Sequence, residues 1–311
     1  MRQPYWARAL RRFPMLDARH PVALRDAHFM PDAMPKWVRR FTNFWALVGF
    51  AALIHGGLFF FAVLFYHMPN TALVPLMAPF LTPFGTPIIL VIMHSVLYWA
   101  LLIGIANQMT YSFGRELESQ TWRVLRLTPY VADELAITKV LTVGRTWFGL
   151  LRVLFALRFS ALLVLPVAFA AQRNREISLI GSFDLLSVIM FLLQPFTEAF
   201  MVAGVSLLIA VLVRQALWAK LYAYTALVLG VCGLNALCSL WLTFNSPIGV
   251  LASLLVPFGH WTPLVVAAFP PSATAVYAQQ TAVLALTVIG LPVLIGGVAF
   301  SVGVRRLRQL T

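Results

Sequence analysis

Six long apolar runs alternate with short, more polar connections along this chain. They cover residues 41–66, 87–109, 150–171, 183–213, 217–244 and 281–304. Each reaches the roughly 20 residues that a helix needs to cross a hydrocarbon core of about 30 Å. Only the short corner at residues 214–216 separates the fourth run from the fifth, which predicts an antiparallel helical hairpin. The pattern therefore predicts an all-α integral membrane protein with six transmembrane helices. Composition supports it: 61% of the 311 residues are hydrophobic, more than a soluble core of this size could hide.

Two stretches depart from the pattern. Residues 1–40 hold nine of the 23 Lys and Arg residues, interleaved with Trp6, Phe13, Leu16 and Leu24 and broken by five prolines. No continuous apolar run precedes residue 41, so a basic amphipathic arm on the membrane surface is expected instead of a cleavable signal, with a disordered basic tail as the alternative. Residues 245–280 carry no charge but are punctuated by five prolines and two glycines. A broken re-entrant segment before the last span fits them, as does an amphipathic cap on the outer leaflet.

The net charge of +13 changes the picture only through its distribution. Besides the arm, basic residues collect in segment 110–140 (four), at Arg214 and Lys220, and at Arg305, Arg306 and Arg308 in the tail 305–311. Residues 67–86 and 245–280 have none. The positive-inside rule then predicts six spans with both termini cytoplasmic, in a cell's inner (cytoplasmic) membrane. Charge placed at the ends of apolar runs marks topology and lipid headgroups, so no nucleic-acid partner is expected. Cys232 and Cys238 share one apolar run without ligand spacing and read as buried helix residues.

Between the second and third runs, residues 114–139 hold eight charges in 26 positions of a chain that is 11% charged. The insert reads as helix, turn, helix. Thr110 or Ser112 is expected to cap the first helix, with Glu116 and Glu118 in its first turn. Trp122, Val124 and Leu125 would form an apolar stripe beside Arg115, Arg123 and Arg126. Pro129 ends that helix, and Asp133 and Glu134 open the next, which carries Lys139 toward the third span.

These residues resemble a known pattern. Glu116, Glu118, Thr121, Trp122, Leu125, Thr128, Pro129, Glu134, Leu135 and Lys139 are similar to the cytoplasmic coupling segment of type-2 ABC transporter permeases. That family shows Glu-x-Glu-x-Gly-Thr, then Leu-x-x-Thr-Pro, then Glu-[Ile/Leu] and a Lys before a span. The resemblance is strong over residues 114–140 and architectural elsewhere, and Gln120 departs from it where the family has Gly. It implies a permease subunit of an ATP-driven exporter that pairs with a second or homologous permease. It also implies two cytoplasmic ATPase subunits docked on a coupling helix around Glu116–Leu127, with Arg126 among the contacts.

The chain contains no phosphate loop, no zinc-protease helix, no nucleophile elbow and no Cys-x-x-Cys. No enzymatic activity or cofactor is therefore expected in this chain, and ATP and Mg belong to the partner. A non-transporting membrane scaffold or accessory subunit of a larger complex is the alternative. A lipid-modifying enzyme using Glu198, His55 and His94 is a third reading, although nothing in the sequence joins those three.

Ionisable residues inside apolar runs are costly in lipid. Glu198 lies one turn beyond Gln194 in the fourth run, and Arg158 lies about 9 Å deeper along the third than Arg152. Glu198 and Arg158 are expected to form an intramembrane pair or to face the substrate path. The alternative makes Glu198 a hydrogen-bonded packing residue. Gly56-Gly57 and Gly296-Gly297 are expected to permit close helix approach, and no metal site is expected.

Overall fold

A computed structural model describes residues 44–67, 88–122, 132–172, 185–242 and 285–310. These form six long helices: α1 (Phe44–His67), α2 (Ile88–Glu118), α3 (Ala132–Gln172), α4 (Leu185–Val213), α5 (Ala216–Leu242) and α6 (Leu291–Gln309). A single π-helical turn, Leu286–Gly290, leads into α6. No strand occurs among the described residues. The basic arm 1–40 and the broken segment 245–280 lie outside them, as do Leu125, Arg126, Thr128 and Pro129.

Among the described residues, five segments are long and apolar enough to cross a membrane: Ile92–Glu118, Asp133–Leu162, Val188–Val213, Ala216–Leu234 and Leu286–Gln309. α1 spans 24 residues and contributes the shorter apolar stretch Trp45–Leu58. The described residues are thus all-helical, and most of their helices have the length and apolarity that suit a membrane. Leucine, phenylalanine and tryptophan side chains such as Leu53, Phe60, Trp45 and Leu229 lie exposed on the outside. In water such a surface would aggregate; in lipid it is solvated.

α4 occupies the centre, packed against α6, α2, α5 and α3, while α1 packs mainly on α3. Glycine sets the α4–α6 distance. A Cβ built on Gly204 would lie 2.3 Å from the Gly296 carbonyl oxygen, and one on Gly296 would lie 2.8 Å from Met201 Cα. Backbone meets backbone there, the arrangement small residues allow between membrane helices. Gly56, Gly57 and Gly297 meet nothing within 4 Å where a Cβ would be, so no close approach is made at them among the described residues.

Two helices run longer than their apolar cores. α2 does not stop near residue 109; it continues to Glu118. Thr110 and Ser112 therefore do not cap a helix. The Thr110 hydroxyl donates back to the Ala106 carbonyl at 2.7 Å, inside the helix. Glu116 and Glu118 fall in the last turn of α2, not in a first turn. α3 begins at Ala132, with Asp133 and Glu134 in its first turn as expected, and runs unbroken for 41 residues. At 1.5 Å per residue that is a rod of about 60 Å, roughly twice a hydrocarbon core.

Candidate functional site: a charged corner and a buried polar layer

α2 ends in a turn closed by local hydrogen bonds. The Ser119 amide donates to the Arg115 carbonyl at 2.9 Å, and the Ser119 hydroxyl donates to the same oxygen at 2.7 Å. The Thr121 hydroxyl reaches the Glu116 carbonyl at 3.4 Å and lies 2.9 Å from the Ser119 hydroxyl. Carbonyls left without helical partners at the end of α2 are satisfied in this way. Gln120 turns the chain with φ of 58°, in the left-handed region where glycine is favoured. Ser119, Gln120 and Thr121 are all exposed.

Beneath this exposed edge the corner is buried. Lys139, from the second turn of α3, places its ammonium 2.8 Å from Glu116 Oε1 and 2.9 Å from Ser112 Oγ, over the Phe113 ring at 5.4 Å. Lys139 is fully buried and Glu116 nearly so. Trp122 is 2% exposed and packs on Phe113 with ring centroids 6.3 Å apart. It therefore belongs to the core and not to an exposed docking stripe, because the turn at Gln120 folds it back over α2. Glu134 is half-buried in the first turn of α3.

Three further contacts gather the helix ends here. Glu118 Oε2 accepts from the Ala216 amide at 3.2 Å, placing a carboxylate at the N-terminus of α5. Gly114 lets Ala216 approach so closely that a Cβ would lie 2.9 Å from its Cα. Arg308, in the last turn of α6, makes a two-pronged ion pair with Asp133 in the first turn of α3, with Nε to Oδ1 at 2.7 Å and Nη2 on Oδ2. The α2–α3 corner, the α4–α5 corner and the end of α6 thus share one end of the bundle. Arg115, Arg214, Arg305, Arg306 and Arg308 lie exposed there. The α4–α5 corner also turns on a left-handed residue, Arg214, with φ of 59°.

A second polar cluster lies in the middle of the bundle. Pro195 has no amide hydrogen, so the carbonyl of Phe191, four residues earlier, loses its helical donor. Arg158 Nη1 donates to that carbonyl from α3 and also to Gln194 Oε1 at 3.2 Å. The guanidinium carbon lies 4.7 Å from the Phe191 ring centroid and 5.8 Å from that of Tyr98. Gln194 Nε2 then donates to Glu198 Oε1 at 3.0 Å. The expected Arg158–Glu198 pair is therefore bridged by Gln194 and not direct. Glu198 Oε2 is buried and has no hydrogen-bond partner.

The layer continues through α2 and α1. His94 Nε2 lies 3.1 Å from His55 Nε2. His55 Nδ1 is 2.7 Å from the Ala51 carbonyl, which only accepts, so that nitrogen bears the hydrogen. Neutral His55 then accepts at Nε2, and His94 donates. Ser160 Oγ, 2.9 Å from His55 Nδ1, donates its own hydrogen to the Leu157 carbonyl at 2.8 Å. On the far side of α4, Thr197 donates to the Val288 carbonyl in the π turn at 2.7 Å. Both histidines are buried, and no cluster of three ligating side chains occurs among the described residues.

Sequence reasoning missed the bridging role of Gln194, the part played by Ser160, and the contact between the two histidines. The one available signal was Pro195, whose orphaned carbonyl demanded a donor from another helix. Comparison with known proteins yields no match: no family model, no curated protein and no solved structure aligns significantly with the chain.

Proposed function

We propose that this chain is the membrane subunit of an ATP-driven transporter of the type-2 ABC permease kind, an exporter powered by a separate ATPase. The observation that carries the reading is Gln120. In the sequence pattern this chain resembles, the position holds glycine, and here it adopts the left-handed conformation that glycine favours. The glutamine thus keeps, at the end of α2, the backbone conformation that the pattern's glycine would supply. Glu116 and Lys139, the outer members of the same pattern, close on each other as a buried pair.

On this reading the corner is a lever. The exposed edge 118–121 receives the ATPase, and its movement passes directly into α2, α3, α5 and α6 through the contacts of Glu116, Glu118 and Asp133. α3 is long enough to carry the motion through the membrane without a joint. The basic residues gathered at this end support a cytoplasmic position for it on this reading, with both termini, six spans and the inner membrane as the setting. A second permease copy or homologue completes the path, and ATP and Mg are held by the ATPase alone.

Substitution at the exposed edge tests this. Thr121→Trp adds bulk outside the core, so insertion and folding persist while co-purification of the ATPase falls about tenfold or more, a loss of at least roughly 1.4 kcal/mol. Unchanged ATPase recovery with Thr121→Trp would sink the docking role. A stable multi-subunit assembly with no ATP-hydrolysing chain would instead support a membrane scaffold.

A further inference from the structure

We propose that Glu198 is a proton-exchanging carboxyl of the membrane domain, electrically coupled to Arg158 through the Gln194 side chain. The inference is independent of the function assigned to the corner. It starts from an imbalance. Arg158 is accounted for by the Phe191 carbonyl orphaned by Pro195, by Gln194 Oε1 and by two aromatic faces. Gln194 needs an acceptor for its amide, and any side-chain carbonyl at position 198 would supply one. A carboxyl does so while leaving its second oxygen, Oε2, buried with no partner. In a packing role that second oxygen brings a desolvation cost with no hydrogen bond in return.

Titration gives the oxygen a use. With Glu198 ionised, the layer holds one negative and one positive charge joined by a polarisable amide, and its net charge is zero. With a proton on Oε2 the layer carries the uncompensated charge of Arg158. No other acidic side chain among the described residues lies in the middle of the bundle; Glu116, Glu118, Asp133 and Glu134 all belong to the corner. The other groups around this layer are few. α3 brings Arg158, α2 brings His94 and Tyr98, and α1 brings His55. α5 contributes the apolar Leu227, Val231 and Leu234, with the Cys232 thiol half-buried beside them, and the π turn and α6 bring Thr287 but no titratable group at this depth. Glu198 is thus the one carboxyl able to change the charge of the layer. It sits next to Thr197, which bonds to the π turn, so a change of charge is felt where α4 and α6 are both locally irregular.

Dicyclohexylcarbodiimide tests this without reference to transport. The reagent partitions into apolar surroundings and takes its proton from a protonated carboxyl, whose oxygen then adds to the carbodiimide carbon. Rearrangement to a stable N-acylurea leaves a mass tag on the acid. The full-length protein in mild detergent is treated between about pH 5 and about pH 9, and the peptide bearing residue 198 is quantified by mass spectrometry. The expected result is labelling of Glu198 that falls severalfold as pH rises, and no label in Glu198→Gln. Arg158→Gln removes the cation that favours the carboxylate, so labelling at a given pH rises by about threefold or more. If Arg158→Gln does not fold, the wild-type pH-difference infrared spectrum replaces it, with a carboxyl C=O band that Glu198→Gln abolishes. Labelling that is absent throughout, or independent of pH, overturns the proposal, as does a spectrum identical in Glu198→Gln.

Discussion

Lys139 and Glu116 are 23 positions apart, yet they meet as an ion pair at 2.8 Å, and both are buried beneath the corner. Breaking such a pair from one side leaves an uncompensated charge, which costs about 3–5 kcal/mol. Lys139→Met and Glu116→Gln should therefore each be strongly destabilising, and the double variant should recover much of the loss. Denaturant titration of the purified protein in detergent checks the coupling, and simple additivity of the two single variants would refute it. Gln120 offers the opposite sign. Its left-handed backbone costs about 1–2 kcal/mol in a residue with a Cβ, so Gln120→Gly should stabilise by about 0.5–1 kcal/mol after glycine's own entropy is counted. A loss of stability would show that the turn is held by something else. The sequence exposed both features as anomalies: charge in a greasy chain, and a glutamine where the pattern has glycine. It could not show their partners, because pairing across a corner depends on the angle at which two helices meet. Trp122 illustrates the limit. Its apolarity was visible, but whether it faced solvent or core was decided by one φ angle two residues earlier.

At the scale of elements, apolar runs located the helices and misjudged their ends. α2 overran its expected end by nine residues: the Thr110 hydroxyl, a good cap in isolation, here bonds back into the helix, and that of Ser112 accepts from Lys139. α3 joined a charged segment to an apolar one without a break, since nothing between Ala132 and Gln172 interrupts helical hydrogen bonding except Pro166, near its far end. Pro195 lies well inside α4 and is accommodated because Arg158 takes up the carbonyl it frees. Helix contacts were less legible still. Two glycine pairs looked equivalent in sequence, yet only Gly296 meets a neighbouring backbone, at Gly204. Gly204→Leu should force α4 and α6 apart and cost about 1–3 kcal/mol or more, whereas Gly297→Ala should be tolerated. Thermal unfolding of the two variants in the same detergent separates them, and equal effects would contradict the packing described here.

At the scale of the molecule, the two polar sites are built on opposite principles. The corner is tied to four helices, presents an exposed edge and is rigidly braced from below. The middle layer is enclosed, links α1 through α4, and keeps one carboxyl oxygen in reserve. α3 belongs to both, with Lys139 in the corner and Arg158 in the layer 19 residues further along. Movement delivered at the corner thus has a continuous helical route to the bundle centre, about 28 Å away along the axis. The central claim is that an external ATPase drives that movement. Its most direct test is purification of the full-length protein from its own membranes in mild detergent, with identification of every bound chain and measurement of ATP turnover. A stoichiometric subunit bearing a phosphate-binding loop is expected, with ATP hydrolysis that is lost when the subunit is stripped away. A protein that purifies alone, or in a stable assembly containing no ATP-hydrolysing chain, would contradict it.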